Sequence, residues 1–190
     1  GMSLFEIRSV VFGFLYRNFL RPGLFLIEPE RVHNWFIFIG RILGGNYFTK
    51  LITRSAFDFE DSRLQQKILG IEFRNPVGLA AGFDKNAEII PFMSTFGFGF
   101  IEVGSISARP HTGNPRPRLF RLPNDLALIN RMGLNNRGAG HLVSSIPKPP
   151  RPLPIGINIV NTPQENVDIQ TAIDDVKQSF NLLYPVSDYI

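Results

Sequence analysis

Asn75-Pro76-Val77-Gly78-Leu79-Ala80-Ala81-Gly82-Phe83-Asp84-Lys85-Asn86 joins a small apolar run, Pro76 to Ala81, to a glycine and then to a charged pair. Such a run reads as a short buried strand, and the small residues at its end let a flat ligand approach the backbone. Before it, Lys67 to Phe73 forms a hairpin about Gly70. After it, Ala87 to Thr95 reads as a helix that returns the chain to a second strand, Phe100 to Val103. This is a strand, crossover, parallel-strand unit. The alternation continues. Ala139 to Ile146 reads as helix, the five prolines from Pro147 to Pro154 as a stiff connection, and Ile155 to Ile159 as a third strand. Ile169, Ala172, Ile173, Val176, Phe180 and Leu183 then give one helical face, and Asp188-Tyr189-Ile190 begins a fourth strand. The fold class expected is α/β, a β/α (TIM-type) barrel in which chemistry gathers at the C-terminal strand ends. It is incomplete, with about four of the eight strands a closed barrel needs. An open doubly wound sheet is the structural alternative, but Gly82 to Glu88 makes a poor G-x-G-x-x-G phosphate turn.

Ahead of the barrel lies an amphipathic helical pair. Leu4, Ile7, Val11, Phe14 and Leu15 share a face of a helix from Leu4 to Leu20, with Glu6 and Arg17 opposite. The apolar run Val10 to Tyr16 falls far short of the roughly 20 residues a spanning helix needs. No small-residue cleavage site follows, which argues against a signal peptide. The second helix starts at Pro29, with Glu28 and Glu30 at the positive end of its dipole, and stops at Gly44-Gly45. Val32, Trp35, Phe36, Ile39 and Leu43 form its main apolar face, while Ile37 and Phe38 point elsewhere. Either a core packs on it from two directions or the pair lies in a membrane interface, anchored by Trp35, the Phe residues and the flanking Arg side chains. The domain division expected is 1–48 for the helices and 49–190 for the first half of the barrel.

Composition limits the function classes. At 190 residues, 44% hydrophobic and 19% charged, the chain can bury a core. It contains no Cys, which excludes disulfides, Cys-ligated metals and thiol nucleophiles. The net charge of +4 is concentrated in the N-terminal arm and one loop, weak support for nucleic-acid binding. Gly1 before Met2 has the look of a tag remainder.

Candidate site residues lie where the strands end. Lys85 at the mouth of the first strand suits a planar, anionic ligand, or is a solvated or ion-paired lysine. Gly104-Ser105 ends the second strand as a ligand contact or a tight turn. Asn130-Arg131-Met132-Gly133-Leu134-Asn135-Asn136 offers donors and acceptors to a heterocycle, or is an amide-rich turn. Asn158, in an otherwise apolar strand, needs a backbone or ligand partner if buried. The loop from Arg109 to Arg121 has four arginines and no acid, which also reads as a phosphate or nucleic-acid patch.

From about Glu28 to Ile190 these segments resemble the quinone-dependent dihydroorotate dehydrogenases. Asn75 to Lys85, Ile101 to Ser107 with Arg109-Pro110 and Gly113 to Leu122, Asn130 to Gly133, and Gly156-Ile157-Asn158-Ile159 carry the likeness in order. The resemblance implies oxidation of dihydroorotate to orotate through FMN, with a membrane quinone as acceptor, in pyrimidine biosynthesis. It implies that Ala81, Gly82, Phe83, Asp84, Lys85, Ser105 and Asn158 contact FMN. Lys85 with Asn130, Arg131, Met132, Gly133 and Leu134 would hold the substrate, and His33 and Arg121 would line the quinone end of a tunnel formed by the helices. It also raises the membrane-interface reading of the helices, as a peripheral protein on the cytoplasmic face of the inner membrane if bacterial. No metal and no nucleic acid are expected.

Three departures from the family pattern stand out. Leu134 replaces an aromatic residue. Val160-Asn161-Thr162 replaces a glycine, lysine and asparagine. The family's catalytic serine, second flavin lysine and phosphate-binding loops fall beyond Ile190, so the chain is expected to be an inactive part needing a C-terminal half or self-association. The alternative is a non-catalytic, membrane-attached protein that keeps the half barrel as an interaction surface.

Overall fold

A computed structural model describes residues 4–190 of the chain; Gly1, the expected tag remainder, lies outside the described residues. Helix α1 (Leu4–Leu15) runs through a π-helical turn (Tyr16–Leu20) into α2 (Arg21–Phe25), so the helix expected to stop at Leu20 continues. The widened turn lies directly before Pro22, whose ring nitrogen cannot donate to the preceding turn. Helix α3 (Pro29–Gly44) has the expected bounds, with the Glu28 carboxylate accepting from the Glu30 and Arg31 amides as N-cap.

The face that α3 turns inward differs from expectation. Phe36, Ile37 and Leu43 pack against the core, whereas Trp35, Phe38, Ile39 and Ile42 are exposed. Gly40 and Gly44, one turn apart, explain the choice. A Cβ at Gly40 would lie 2.9 Å from Ile89 Cγ2 and 3.1 Å from Phe92 Cδ1, and one at Gly44 3.0 Å from the Phe92 amide nitrogen. The flat stripe therefore sets the close approach, and the bulkier arc faces out. Gly40→Val should cost about 1–3 kcal/mol through overpacking, read from the urea midpoint, while Phe38→Ala should leave that midpoint unchanged within error.

Sequence reading missed helix α4 (Tyr47–Phe57), although Asn46 caps it by accepting from the Phe48 and Thr49 amides. Strands β1 (Gln66–Ile68) and β2 (Ile71–Phe73) form the expected antiparallel hairpin about Leu69-Gly70. The first barrel-type strand is shorter than expected, β3 (Gly78–Leu79), and the following helix shrinks to α5 (Ile90–Met93). Ala87 takes a left-handed φ of 57°, and Pro91 fits only a first turn, so helix cannot begin at Ala87. Strand β4 (Phe100–Ile106) extends past Val103.

The basic loop contains a second antiparallel hairpin that the sequence reading did not foresee, β5 (Leu119–Leu122) with β6 (Ala127–Asn130). Helix α6 (Ala139–Ser145), strand β7 (Ile155–Ile159) and helix α7 (Ile169–Leu183) stand within a residue of their expected places. Strands β3, β4 and β7 form one parallel sheet in that order, and Tyr189 adds a parallel bridge to Gly156 where the fourth strand was expected.

Period-two alternation divides the sheet. Ile101, Val103, Ile106, Ile155 and Ile157 are buried with Ile89, Ile90, Leu142 and Leu183 from the helical layer. The other face carries Gly78 beneath Phe100, and Gly156 beneath the Tyr189 ring. The sheet is an α/β arc, not a closed barrel. No single described helix is long and apolar enough to cross a membrane; Glu6–Phe25 with Pro29–Gly44, bent by 119°, meets that test only as a pair.

Candidate functional site

The C-terminal ends of β3, β4 and β7 bring the expected flavin-contact segments to one edge. The Gly82 amide donates to the Gly104 carbonyl at 2.7 Å, and Gly104 lies opposite Asn158 in the β4–β7 register. A Cβ at Gly104 would come within 2.5 Å of the Asn158 carbonyl oxygen, so only glycine lets the strands meet there. Gly82, at φ 106°, has open space where its Cβ would stand. Ala81 and Ser105 are half-buried, and Asn158 is exposed rather than buried in its strand. Small backbone-like surface beside an outward amide and a lysine is what a planar heterocycle requires, so these residues fit a flavin ring.

Asp84 behaves differently from its neighbours. It is 1% exposed, and its two carboxylate oxygens accept from the Glu88 and Ile89 amides at 2.8 Å each. Burial pushes its pKa up, against the pull of those amides. Its side chain therefore builds the turn that carries Lys85, leaving its backbone at the site edge.

Lys85 is half-buried and donates to Asn135 Oδ1 at 2.6 Å, with Met132 Sδ 3.8 Å away. Burial, then the Arg118 charge, hold its ammonium below the ordinary lysine range. The contact pulls the whole amide-rich segment onto the β3 end. Asn130 Oδ1 accepts from the Met132 amide, the Arg131 amide donates to the Arg118 carbonyl, and Met132 is buried. Gly133 and Leu134 take left-handed φ values of 75° and 58°, and Leu134 remains 38% exposed. Asn136 closes the segment by donating to Ser107 Oγ at 2.8 Å. The structure thus adds Asn135 and Asn136 to the expected set; the run of amides was the available signal, but which of them faces Lys85 depends on the left-handed backbone before them.

His33 and Arg121 are placed apart in role. The His33 ring stands edge-on to Phe83 at 5.2 Å, joining α3 to the site, and burial followed by the Lys85 charge pushes its pKa down. Arg121 donates to the Ile27 carbonyl at 2.6 Å and lies over the Phe25 ring, as Arg21 also does. It borders a cleft of about 390 Å³ with Tyr16, Leu126 and Leu128.

The remaining arginines of the basic loop are engaged. Glu30, 3% exposed, accepts from Arg118 Nη2 at 2.7 Å and Nε at 3.1 Å, and from Arg116 Nη2 at 2.8 Å. Arg118, then Arg116, hold its carboxyl below the usual range against its own burial. Arg109 lies 3.6 Å from Asp175, whose carboxylate also accepts from the Thr162 amide and hydroxyl. Thr162, one of the departures from the family pattern, is thereby a buried strut. Among the described residues no group of three or more His, Asp or Glu could hold a metal.

Parallel strands joined by helices, with a lysine, amides and glycines gathered at their C-terminal ends, define an α/β protein with a candidate ligand site at that strand edge. The family model for dihydroorotate dehydrogenase matches residues 63–190, and the chain belongs to that family. Dihydroorotate dehydrogenase (quinone) of Chloroflexus aurantiacus is 41% identical over 179 residues, 92% of this chain and 49% of that protein. The Thermosynechococcus vestitus protein of the same name is 42% identical over 182 residues, 92% of this chain and 50% of its own. Ligand-free DHODH from Eimeria tenella superposes with a TM-score of 0.69 at 34% identity, covering 85% of this chain and 44% of that one. The chain spans about half the length of the curated relatives it matches.

Proposed function

We propose that these 190 residues form one wall of the active site of a quinone-dependent dihydroorotate dehydrogenase, as the first half of a β/α barrel. The observation that carries the reading is the Lys85 ammonium, half-buried beyond the end of β3, bonded to the Asn135 amide and, among the described residues, to no carboxylate, with the segment 130–136 folded against it. FMN, if bound at this edge, would supply the redox chemistry between dihydroorotate and a quinone. Ala81, Gly82, Ser105 and the Asn158 amide would hold its ring, with the Phe83 and Lys85 backbone at the edge. Lys85 would fix the carboxylate of dihydroorotate by charge, and Asn130 and the backbone of 131–134 would orient the pyrimidine ring. Leu134 covers the substrate with an aliphatic rather than aromatic side chain.

On the other side of Phe83, α1 to α3 would form the quinone entrance and rest on a membrane surface. Phe12, Phe14, Phe19, Trp35 and Phe38 are exposed, the pattern of an interfacial anchor. His33, whose pKa burial and then the Lys85 charge push down, would face the acceptor from behind Phe83. The base, the flavin phosphate site and the closing strands would come from sequence matching the second half of the relatives, and the 190 residues alone are expected to be inactive.

A chimera joining residues 1–190 to the remaining length of the Chloroflexus aurantiacus relative tests the reading. It should oxidise dihydroorotate with a soluble quinone, and His33→Ala should raise the quinone KM several-fold while leaving the rate of flavin reduction by dihydroorotate unchanged. Equal effects on both half-reactions would place His33 elsewhere. Liposome binding by a chain that never supports turnover would favour the non-catalytic, membrane-attached alternative.

A further inference from the structure

We propose that Asn135 is the positioning residue of Lys85, holding its ammonium over the end of β3 so that an anionic substrate meets a charge already oriented. The contact is the shortest that Lys85 makes, 2.6 Å from Nζ to Asn135 Oδ1, and its other neighbour, Met132 Sδ at 3.8 Å, is a weak acceptor. Lysine has only donors, so the amide must present its oxygen.

What makes Asn135 a fixed support is the backbone around it. The His111 ring Nδ1 lies 3.1 Å from the Gly133 carbonyl, and the Asn136 amide and carbonyl pair with the backbone of His111. The Asn114 backbone amide donates to the Met132 carbonyl and its side-chain amide to the Arg131 carbonyl, and Arg118 reaches the same Met132 oxygen. Leu134, at φ 58°, then turns the chain so that Asn135 faces Lys85. A four-carbon stem with free rotors is thus met at its tip by an acceptor carried on a hydrogen-bonded backbone. Because Asn135 is neutral, it orders the ammonium without neutralising it, which leaves the charge for a ligand carboxylate. That ligand's identity rests on the function proposed above; the support itself does not.

Acylation of the chain by an amine-directed reagent, followed lysine by lysine across a pH series by mass spectrometry, tests this. Loss of the acceptor in Asn135→Ala removes stabilisation of the charged form, so the pH midpoint of Lys85 acylation should move down, and its rate at a fixed pH below that midpoint should rise about tenfold. Asn135→Asp, similar in shape, should move the midpoint up and slow the reaction. Lys50 and Lys177 should be unchanged in both variants. A loop that merely loosened would expose Lys85 and move its midpoint up in Asn135→Ala, which overturns the proposal, as does a midpoint that stays put. If Asn135→Ala does not fold, the upward shift in Asn135→Asp decides the matter. Flavin does not enter this readout, so failure of the dehydrogenase reading and failure of the Asn135 support give different results.

Discussion

Lys85→Met in the chimera should lower kcat/KM for dihydroorotate by about 10²- to 10³-fold, the size of effect seen when one preorganised charge or donor is taken from a site. The side chain is nearly isosteric over its stem, so packing against Met132 and the β3 end is kept and the loss reports the charge. Most of the effect should appear with dihydroorotate, in both turnover and the rate of flavin reduction, and the quinone KM should hardly move. Lys85→Arg should recover little, because a planar fork cannot replace a point charge seated on Asn135 Oδ1. The same variant has a second consequence. His33 feels the Lys85 charge, which helps push its pKa down. Without that charge the imidazole should gain a proton at a higher pH, visible as an upward-shifted His33 titration by NMR.

Glu30→Ala is the largest stability change expected, about 3–5 kcal/mol, because it leaves Arg118 buried and uncompensated. Arg118 is 5% exposed, and its other partners are the Thr112, Asn114 and Met132 carbonyls, none of which carries charge. Glu30 starts α3 and Arg118 precedes β5, so their pair is a clamp between the helical arm and the hairpin loop that backs the candidate substrate segment. Its pH dependence has a fixed sign. Hydrogen bonds from Arg118 and the charges of both arginines hold the folded carboxyl below its ordinary value. The clamp therefore contributes fully above the ordinary carboxylate range and is lost as pH falls through the depressed folded value. Urea midpoints of the parent chain should fall in that acidic window, and those of Glu30→Ala should show a smaller fall there.

Elements with clean periodicity were legible from the residues alone. The face of Ile169, Ala172, Val176, Phe180 and Leu183 gave α7, and the apolar Ile155 to Ile159 gave β7. The β5–β6 hairpin was hidden because Arg116 and Arg118 before its first strand and Arg121 within it made the stretch read as an Arg-rich loop, a phosphate or nucleic-acid patch. Two of those guanidiniums are instead bound to Glu30, whose partner lies 88 residues away in sequence for Arg118. No local pattern reports a pairing of that span. The inward face of α3 was misjudged for a similar reason: bulk was weighed, while the decisive positions were Gly40 and Gly44, which matter only once Ile89 and Phe92 are known to lie against them.

The candidate site was legible in its segments and less so in its side chains. Lys85, Ser105 and Asn158 stand at strand ends because glycine, small residues and apolar runs mark where strands stop. Asp84 could not be told from Lys85 as a ligand group until its carboxylate was found closing the turn with the Glu88 and Ile89 amides. Asn135 was hidden in an amide-rich run because its direction is set by the left-handed residue before it.

The measurement that bears most directly on the central claim is the visible spectrum of the purified chimera before and after anaerobic addition of dihydroorotate. The chimera should be a yellow protein that releases FMN on denaturation and whose flavin absorbance bleaches with dihydroorotate, slowly in Lys85→Met. A folded chimera that carries no flavin, or whose flavin is untouched by dihydroorotate, would contradict it.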